Sequence, residues 1–502
     1  MMILGEGHPI CRLFVKCCTH CGGPLLSTIR VKTLMQFWPI GKSLSGAGAA
    51  PFVTLFVIGR FYVADTPQIV SSILDQSKQY SDSSQSVGLL SAKQEESTEK
   101  TQISAMSETL RKAKEGALWG AVIADALSMP VHWYYNTDDI KHDYNGWLTG
   151  YRAPNKHHPS SIITISAVDG SGRSGWHEKC KPVIGSVILH DKLKYWTSED
   201  RFTHYHQGMM SGDSTLNTIV ALHVMKTIQR IDPNCHQPDR EVRGEVLADY
   251  VKFMTSPGSH NDTYAESYHR SFFKDWSALP ELPKSPKDLL EFAEKRYASK
   301  SKGSQDSQLV VIGALVSAIP WILRNAHKNE AECAKETVEF IKLTHPVPSL
   351  IPFVDLYARL LHAVLNGHDL RQEVLKVLGH SELGGPRKRE MIFKLLEKAQ
   401  SYPKDSEAKL KAYQSATEML GSACYIEGAL SSMLFLALEF ADDFQGGVLA
   451  NANCGGENCH RGSALGALLG ASAVNKGQGL PQHLKDGLES SKLDLINLSC
   501  NL

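Results

Sequence analysis

The chain has 502 residues, 42% of them hydrophobic, which is ample for at least one sizeable core and excludes a wholly disordered protein. Lys plus Arg and Asp plus Glu balance at 53 each, which excludes the overall basic field that draws a protein onto nucleic acid or an anionic membrane. The 11 cysteines are an odd set, scattered apart from Cys11, Cys17, Cys18 and Cys21, and lack the dense spacing of a secreted disulfide scaffold, so a reducing, intracellular compartment is expected.

Residues 1–107 stand apart. Before Asp65 the only acidic residue is Glu6, against six Lys or Arg, and a Ser-, Gln- and Lys-rich linker follows. An acid-poor basic leader ahead of a polar linker resembles an organellar transit region, which would send an otherwise cytoplasmic protein to mitochondria. A disordered extension, or a true start near Met106, reads the same residues equally well. The "CCTHC" inside the leader has no second ligand pair and is poor ground for a zinc site. The apolar run "AGAAPFVTLFVIG" is broken by Pro51 and falls short of the roughly 20 residues that span a bilayer, so no membrane span is expected.

From Ser107 the pattern becomes helical. "SETLRKAKEGALWGAVIADALSMP" offers a Ser cap, apolar residues at three and four spacing, and a stop at Pro130. Further helical windows follow at 212–230, 286–299, 306–326, 331–343, 351–366, 388–400, 405–420, 422–442 and 461–474. Strand signals are confined to "SIITISAV" and "PVIGSVIL", either side of the Gly-rich "DGSGRSGWHEKC". Residues 476–502 read as a polar tail with a short helix. The expected architecture is all-α, with a small extended, Gly-rich excursion and a largely disordered N-terminal leader.

Several stretches concentrate chemistry at helix starts. "NANCGGENCHRGSALGALLGAS" carries Gly455, Gly456, Glu457, Asn458, Cys459, His460 and Arg461 ahead of a helix whose glycines at 462, 466 and 470 let a neighbouring backbone come close. Its free N–H groups suit a carboxylate, a metal-bound anion or a phosphate, while the plainer reading makes Asn458 a cap and Arg461 a solvated side chain. Cys459 beside His460 reads either as an activated thiol or as a small filler of the glycine face. "HYHQGMMSGDSTLNTIVALHVM" places His204, His206, Asp213, Ser214 and Thr215 before an apolar stripe. Asp125 stands among small apolar residues, where an unpaired carboxylate costs several kcal/mol, and His132 lies just past Pro130. "GSHNDTYAESYHR" gathers His260, Asn261, Asp262, Tyr264, Glu266, His269 and Arg270, a mixture that suits a sugar and equally a solvated loop; His345 before Pro346 reads as structural.

In order and spacing, "GALWGAVIADALSMPVHW", "GDSTLNTIVAL" and "GGENCHRGSALGALLGA" resemble the ADP-ribosylglycohydrolase family over about residues 108–475, in a divergent branch similar to jellyfish J-type crystallins. The resemblance implies a compact orthogonal helical domain with two magnesium ions in a central cleft, where a glycosidic bond at the ribose of ADP-ribose is hydrolysed. Asp125, Asp213 and Glu457 would be the carboxylates of the reaction. Gly455, Gly456, Asn458, His460, Arg461, Asn261 and Asp262 would hold the ligand, and Asp213, Glu457, Ser214, Thr215, Cys459 and His132 would face the metal. The match departs from the family pattern where His132 replaces a Glu, Ser214 an Asp and Cys459 an Asp. Magnesium takes hard oxygen ligands. One magnesium on Asp213 and Glu457, a softer ion drawn by Cys459, His132 or His460, and no metal all stay open. The partner implied is an ADP-ribose-like small molecule or an ADP-ribosylated protein; the competing expectation is a pseudoenzyme that binds ADP-ribose, or a crystallin-like structural protein.

Overall fold

The computed structural model describes residues 108–170, 182–303 and 306–490. The basic leader, its cysteine cluster, most of the Gly-rich segment and residues 491–502 lie outside the described residues. The α-helices, in chain order, are α1 (108–128), α2 (Thr137–Asp143), α3 (Leu193–Trp196), α4 (Leu216–Ile231), α5 (Asp239–Thr255), α6 (Ser267–Ser277), α7 (Pro286–Lys300), α8 (Gly313–Asn325) and α9 (Glu330–Ile341). They continue with α10 (Ile351–Leu365), α11 (Leu370–Val377), α12 (Gly385–Gln400), α13 (Glu407–Leu420), α14 (Ile426–Glu439), α15 (Phe444–Asn453), α16 (Asn458–Asn475) and α17 (Gln482–Asp486).

The helices form where caps and apolar spacing agree. Ser285 accepts from Asp288 N with Pro286 in the first turn of α7, and Asn329 accepts from Glu332 N at the start of α9. α5 and α6 lie outside the helical windows read from the sequence, because charged residues run through the first half of α5 and a polar loop leads into α6. The strand expectation for 161–168 and 182–189 is corrected: the first holds a 3-10 turn at Ile163–Ile165, and the second closes on itself through an isolated bridge from Ile184 to Ile188. Val183 and Ile184 both donate to Val168 O, so the two segments meet at one turn, too short to build a ladder.

α16 is the hub. It is buried from Asn458 to Ala473 and packs against α8, α10, α14 and α15. The close approach foreshadowed by its glycines is to α1, where Gly116 meets Gly470 and Gly120 meets Gly466 backbone to backbone. Around this pair lies the larger core, built from α1, α8 to α16 and their loops. A second core joins α4 to α7 with the loops around Ile163 and Trp196. α10, apolar enough by composition to cross a membrane, spends most of its surface inside the first core.

Candidate functional site

The end of α1 and the starts of α4, α6 and α16 converge. Asp125, in α1, accepts from Thr215 N and from Thr215 Oγ1, both at 2.7 Å, and Asp262 Oδ2 accepts from Leu216 N at 2.7 Å. Two carboxylates distant in sequence thus satisfy the start of α4, whose own Thr215 makes no side-chain cap, and the helix dipole favours their charge there. Burial pushes Asp125 up to about 6, against the two Thr215 bonds; for Asp262 burial is outweighed by His206 and two backbone N–H groups, which hold it below the usual range.

Glu457 caps α16, in place of the expected Asn458, and is completely buried. One oxygen lies 2.9 Å from His132 Nε2 and 2.9 Å from His460 Nδ1; the other accepts from Trp133 Nε1 at 2.7 Å. Burial alone would raise its carboxyl, but the two imidazoles overcome that and hold it well below the ordinary value, while Glu457 and Glu266 overcome burial at His460 and raise it to about 10. His132 Nδ1 meets His206 Nε2 at 2.8 Å and His206 Nδ1 meets Asp262 at 2.7 Å, so a buried chain runs from Glu457 through two rings to Asp262. Trp133 reaches Glu457 from a left-handed backbone position, φ 66°, rare for a bulky residue and characteristic of functional sites.

Asp213 accepts from Met210 N and Asn261 Nδ2, each at 2.8 Å. Ser214 is buried beside Thr215. Gly455 and Gly456 adopt φ 59° and 61°, and a Cβ on either would overlap a carbonyl, Tyr134 O or Ser422 O. The N–H groups of Gly455, Gly456, Glu457 and Asn458 go to the carbonyls of Ala452, Tyr134, Ser422 and Gly456, so this loop's amides hold the chain itself rather than a diphosphate. Arg461 is fully buried, its guanidinium on Asn451 Oδ1 at 2.8 Å and Gly455 O at 2.9 Å; Asn458 Nδ2 donates to Ala452 O at 2.9 Å.

Cys459 is buried against Met129 and Met209, and burial together with Asp125 and Glu457 pushes its thiol well above the ordinary value. That environment makes the filler of the two sequence readings the structural one. Iodoacetamide should therefore label Cys459 at least about 100-fold more slowly than a free thiol in the folded protein and at the free rate in denaturant; native labelling at the free rate would contradict this burial.

The residues do not fit two magnesium ions. Both oxygens of Asp125 are bonded to Thr215, Asp213 is bonded to an amide and a backbone N–H, and among the described residues the cluster whose donor atoms lie within 4.8 Å of one another is His132, Glu457 and His460. Two imidazoles and one carboxylate are a nitrogen-rich set foreign to magnesium, and the three are already joined to each other.

In front of this network lies a cavity of about 390 Å³, within the size range of small-molecule sites, lined in part by Trp133, Tyr205, Tyr264, Glu266, Ser267 and Arg270. Glu266 and Arg270 come from the quoted cluster, but its sequence carries no signal that separates a cavity carboxyl from a solvated one. Trp133 ends the first motif, but nothing in the sequence there gives its role, which is fixed by a partner 324 residues away.

Among known proteins, the family model described as ADP-ribosylglycohydrolase matches residues 106–500. No curated protein matches. A solved structure titled "ADP-ribosylglycohydrolase-related protein complex" is similar at 14% identity and a TM-score of 0.41, over 78% of this chain and 98% of that one. With a family match across the whole helical region that builds the buried network and its cavity, the chain belongs to the ADP-ribosylglycohydrolase family.

Proposed function

We propose that the protein hydrolyses a glycosidic bond at the ribose of an ADP-ribosyl or related nucleotide-sugar group. The observation that carries this reading is the cavity, where, among the described residues, the rings of Trp133, Tyr205 and Tyr264 meet one carboxyl, Glu266, and one guanidinium, Arg270. Aromatic faces suit a base and a sugar ring, a guanidinium suits a diphosphate, and carboxylates favour the positive charge that develops at the anomeric carbon. Arg270 is set for that role by bonds to Ala265 O and Ser267 Oγ, both at 3.1 Å, and by the Trp196 ring beneath it. Behind the wall, Glu457 holds the Trp133 indole in place, and the charges of Asp125, Asp213 and Glu457 bias the local potential toward a cationic transition state. No step is routed through a metal.

The test is release of ADP-ribose by the purified chain from arginine-linked, serine-linked and acetyl-linked ADP-ribose, with chelator and with magnesium, manganese or zinc. Turnover of at least one substrate is expected; no release from any of them under all four conditions would end the proposal. A second reading, a pseudoenzyme that binds ADP-ribose or a crystallin-like structural protein, is favoured by one observation: each of the motif carboxylates is already hydrogen-bonded to protein partners. Calorimetric ADP-ribose binding without turnover would select the binder, and no heat at all the structural protein.

A further inference from the structure

We propose that Glu266 is the general acid of this site, aimed into the cavity by Asn217 and Gly313. The inference rests on the glycosidase reading above and assigns it a residue that none of the three sequence motifs contains.

Glu266 immediately precedes α6 and occupies its cap position, yet its carboxyl makes no bond to that helix's own N–H groups. A carboxylate at a helix start ordinarily turns back onto the second or third N–H. This one is held from elsewhere. Asn217 Nδ2 donates to Glu266 Oε2 at 2.7 Å, His269 Nε2 lies 3.1 Å from Asn217 Oδ1, and Tyr250 OH lies 2.7 Å from His269 Nδ1. The carboxylate is a pure acceptor when ionised, so Asn217 must present its NH2 to it and its carbonyl to His269. His269 then donates from Nε2 and accepts the tyrosine hydroxyl at Nδ1. The four side chains fix one another's orientation and are all buried.

Gly313, the first residue of α8, completes the seat. A Cβ there would overlap Glu266 Oε2 and stand 2.5 Å from Oε1, so the carboxyl occupies the room that a side chain would take. His460 Nδ1 is 3.8 Å from the other oxygen. Glu266 is only 5% exposed and is among the residues that line the cavity. Burial raises its carboxyl above the ordinary value, with His460 opposing and Glu457 assisting, which is the direction a proton donor needs. At the position where the family pattern ends in Glu this chain has His132, whose two ring nitrogens are engaged by Glu457 and His206. Among the described residues, Glu266 is the carboxyl that lines the cavity.

In the step, the Glu266 proton passes to the leaving nitrogen or oxygen as the bond from the anomeric carbon breaks and its electron pair stays with the leaving atom. A water oxygen then bonds to the anomeric carbon, and the proton that water sheds returns to the Glu266 carboxylate. Substrate and water give free ribose hydroxyl and protonated leaving group, with Glu266 restored.

The experiment compares two ADP-ribosyl substrates in the full chain: a serine-linked one, whose leaving oxygen needs a proton, and a 4-nitrophenyl one, whose leaving group departs as a stable anion. Glu266→Gln is nearly isosteric and is expected to lower kcat on the serine-linked substrate by about 10²- to 10⁴-fold. On the nitrophenyl substrate the loss should be at least about tenfold smaller, since general-acid help is worth little when the leaving group is good, while the proton taken from water is still needed. Gly313→Ala and Asn217→Ala keep the carboxyl but displace it, and are expected to show the same split with KM on the serine-linked substrate within about twofold. Equal losses on both substrates, or no loss on either, would overturn the acid assignment while leaving the glycosidase reading intact. A wild-type chain inert toward both substrates would remove that reading and the acid with it.

Discussion

Acidification from pH 7 to pH 5 is expected to unfold the protein in one cooperative transition, far above the pH at which carboxylates alone would be protonated. Five buried histidines are held neutral by burial: His132 and His158 at about 4, His345 at about 3, and His204 and His269 well below their ordinary value. The hydrogen bonds agree with this independently. His158 donates to His132 O and accepts from Ser160 N, and His204 donates to Pro130 O and accepts from His206 N, so a second ring proton would break an existing bond in each.

The sign follows from linkage. A histidine whose folded value lies below about 6.5 contributes stability above that pH and loses it as pH falls toward the folded value, because the unfolded chain binds the proton first. Asp125, raised to about 6, and Glu266 work the other way, since the folded chain keeps their protons longer. Asp125 alone offsets about one of the five, leaving an uptake of about three to four protons near pH 5.5 and roughly 8 kcal/mol lost by pH 5. That is comparable with the whole stability of a typical domain, about 5–15 kcal/mol. On the alkaline side His460, raised to about 10, contributes fully below about 6.5 and loses its contribution as pH rises through 10, so maximal stability falls close to neutrality. Circular dichroism against pH, with proton uptake measured calorimetrically in buffers of different ionisation heat, checks this; a midpoint below pH 4 with uptake of less than one proton would refute it.

Gly466→Ala should be among the most damaging single-methyl changes available to the chain. In an open helix the same substitution stabilises by about 1 kcal/mol, because alanine has the better helix propensity. Here the added Cβ would overlap Gly120 O and stand 2.7 Å from Gly120 C and 2.8 Å from Ala124 Cβ. Neither helix can yield by turning a side chain, since the collision is with backbone, and Gly116 against Gly470 repeats it one turn along. Overpacking costs typically about 1–3 kcal/mol when side chains can adjust, so a loss of about 3 kcal/mol or more is expected at this rigid contact. Gly479, with nothing within 4 Å of its would-be Cβ, provides the control, and Gly479→Ala should stay within about 0.5 kcal/mol. Urea unfolding of the two variants decides the matter: equal stabilities would mean that α1 and α16 do not touch through their glycines. Because Asp125 sits on one of these helices and Glu457 caps the other, a variant that survives should also loosen the network between them.

The sequence by itself determined the all-α class, most of the long helices and the family, because helical periodicity, caps and motif order are properties of near neighbours along the chain. It also marked the α16 glycines as a close-approach face, since small residues spaced by four leave a groove whatever enters it. Only the tertiary structure decided that α1 enters it, that Asp125 and Asp262 start α4, and that Glu457 is balanced by imidazoles from both sides. Apart from Glu457 with His460, those pairings join residues 46 to 354 positions apart, and no local pattern encodes them. The same reason explains the failure of the strand expectation at 161–168: alternating apolar residues make a half-buried extended segment, but a strand needs a partner ladder, and a turn met it instead. It explains Glu266 too. Within "HNDTYAESYHR" nothing distinguishes it from a solvated acid; the seat left by Gly313, the amide of Asn217 and the burial that shifts its proton come from other elements, and proton affinity is a property of the surroundings rather than of the residue.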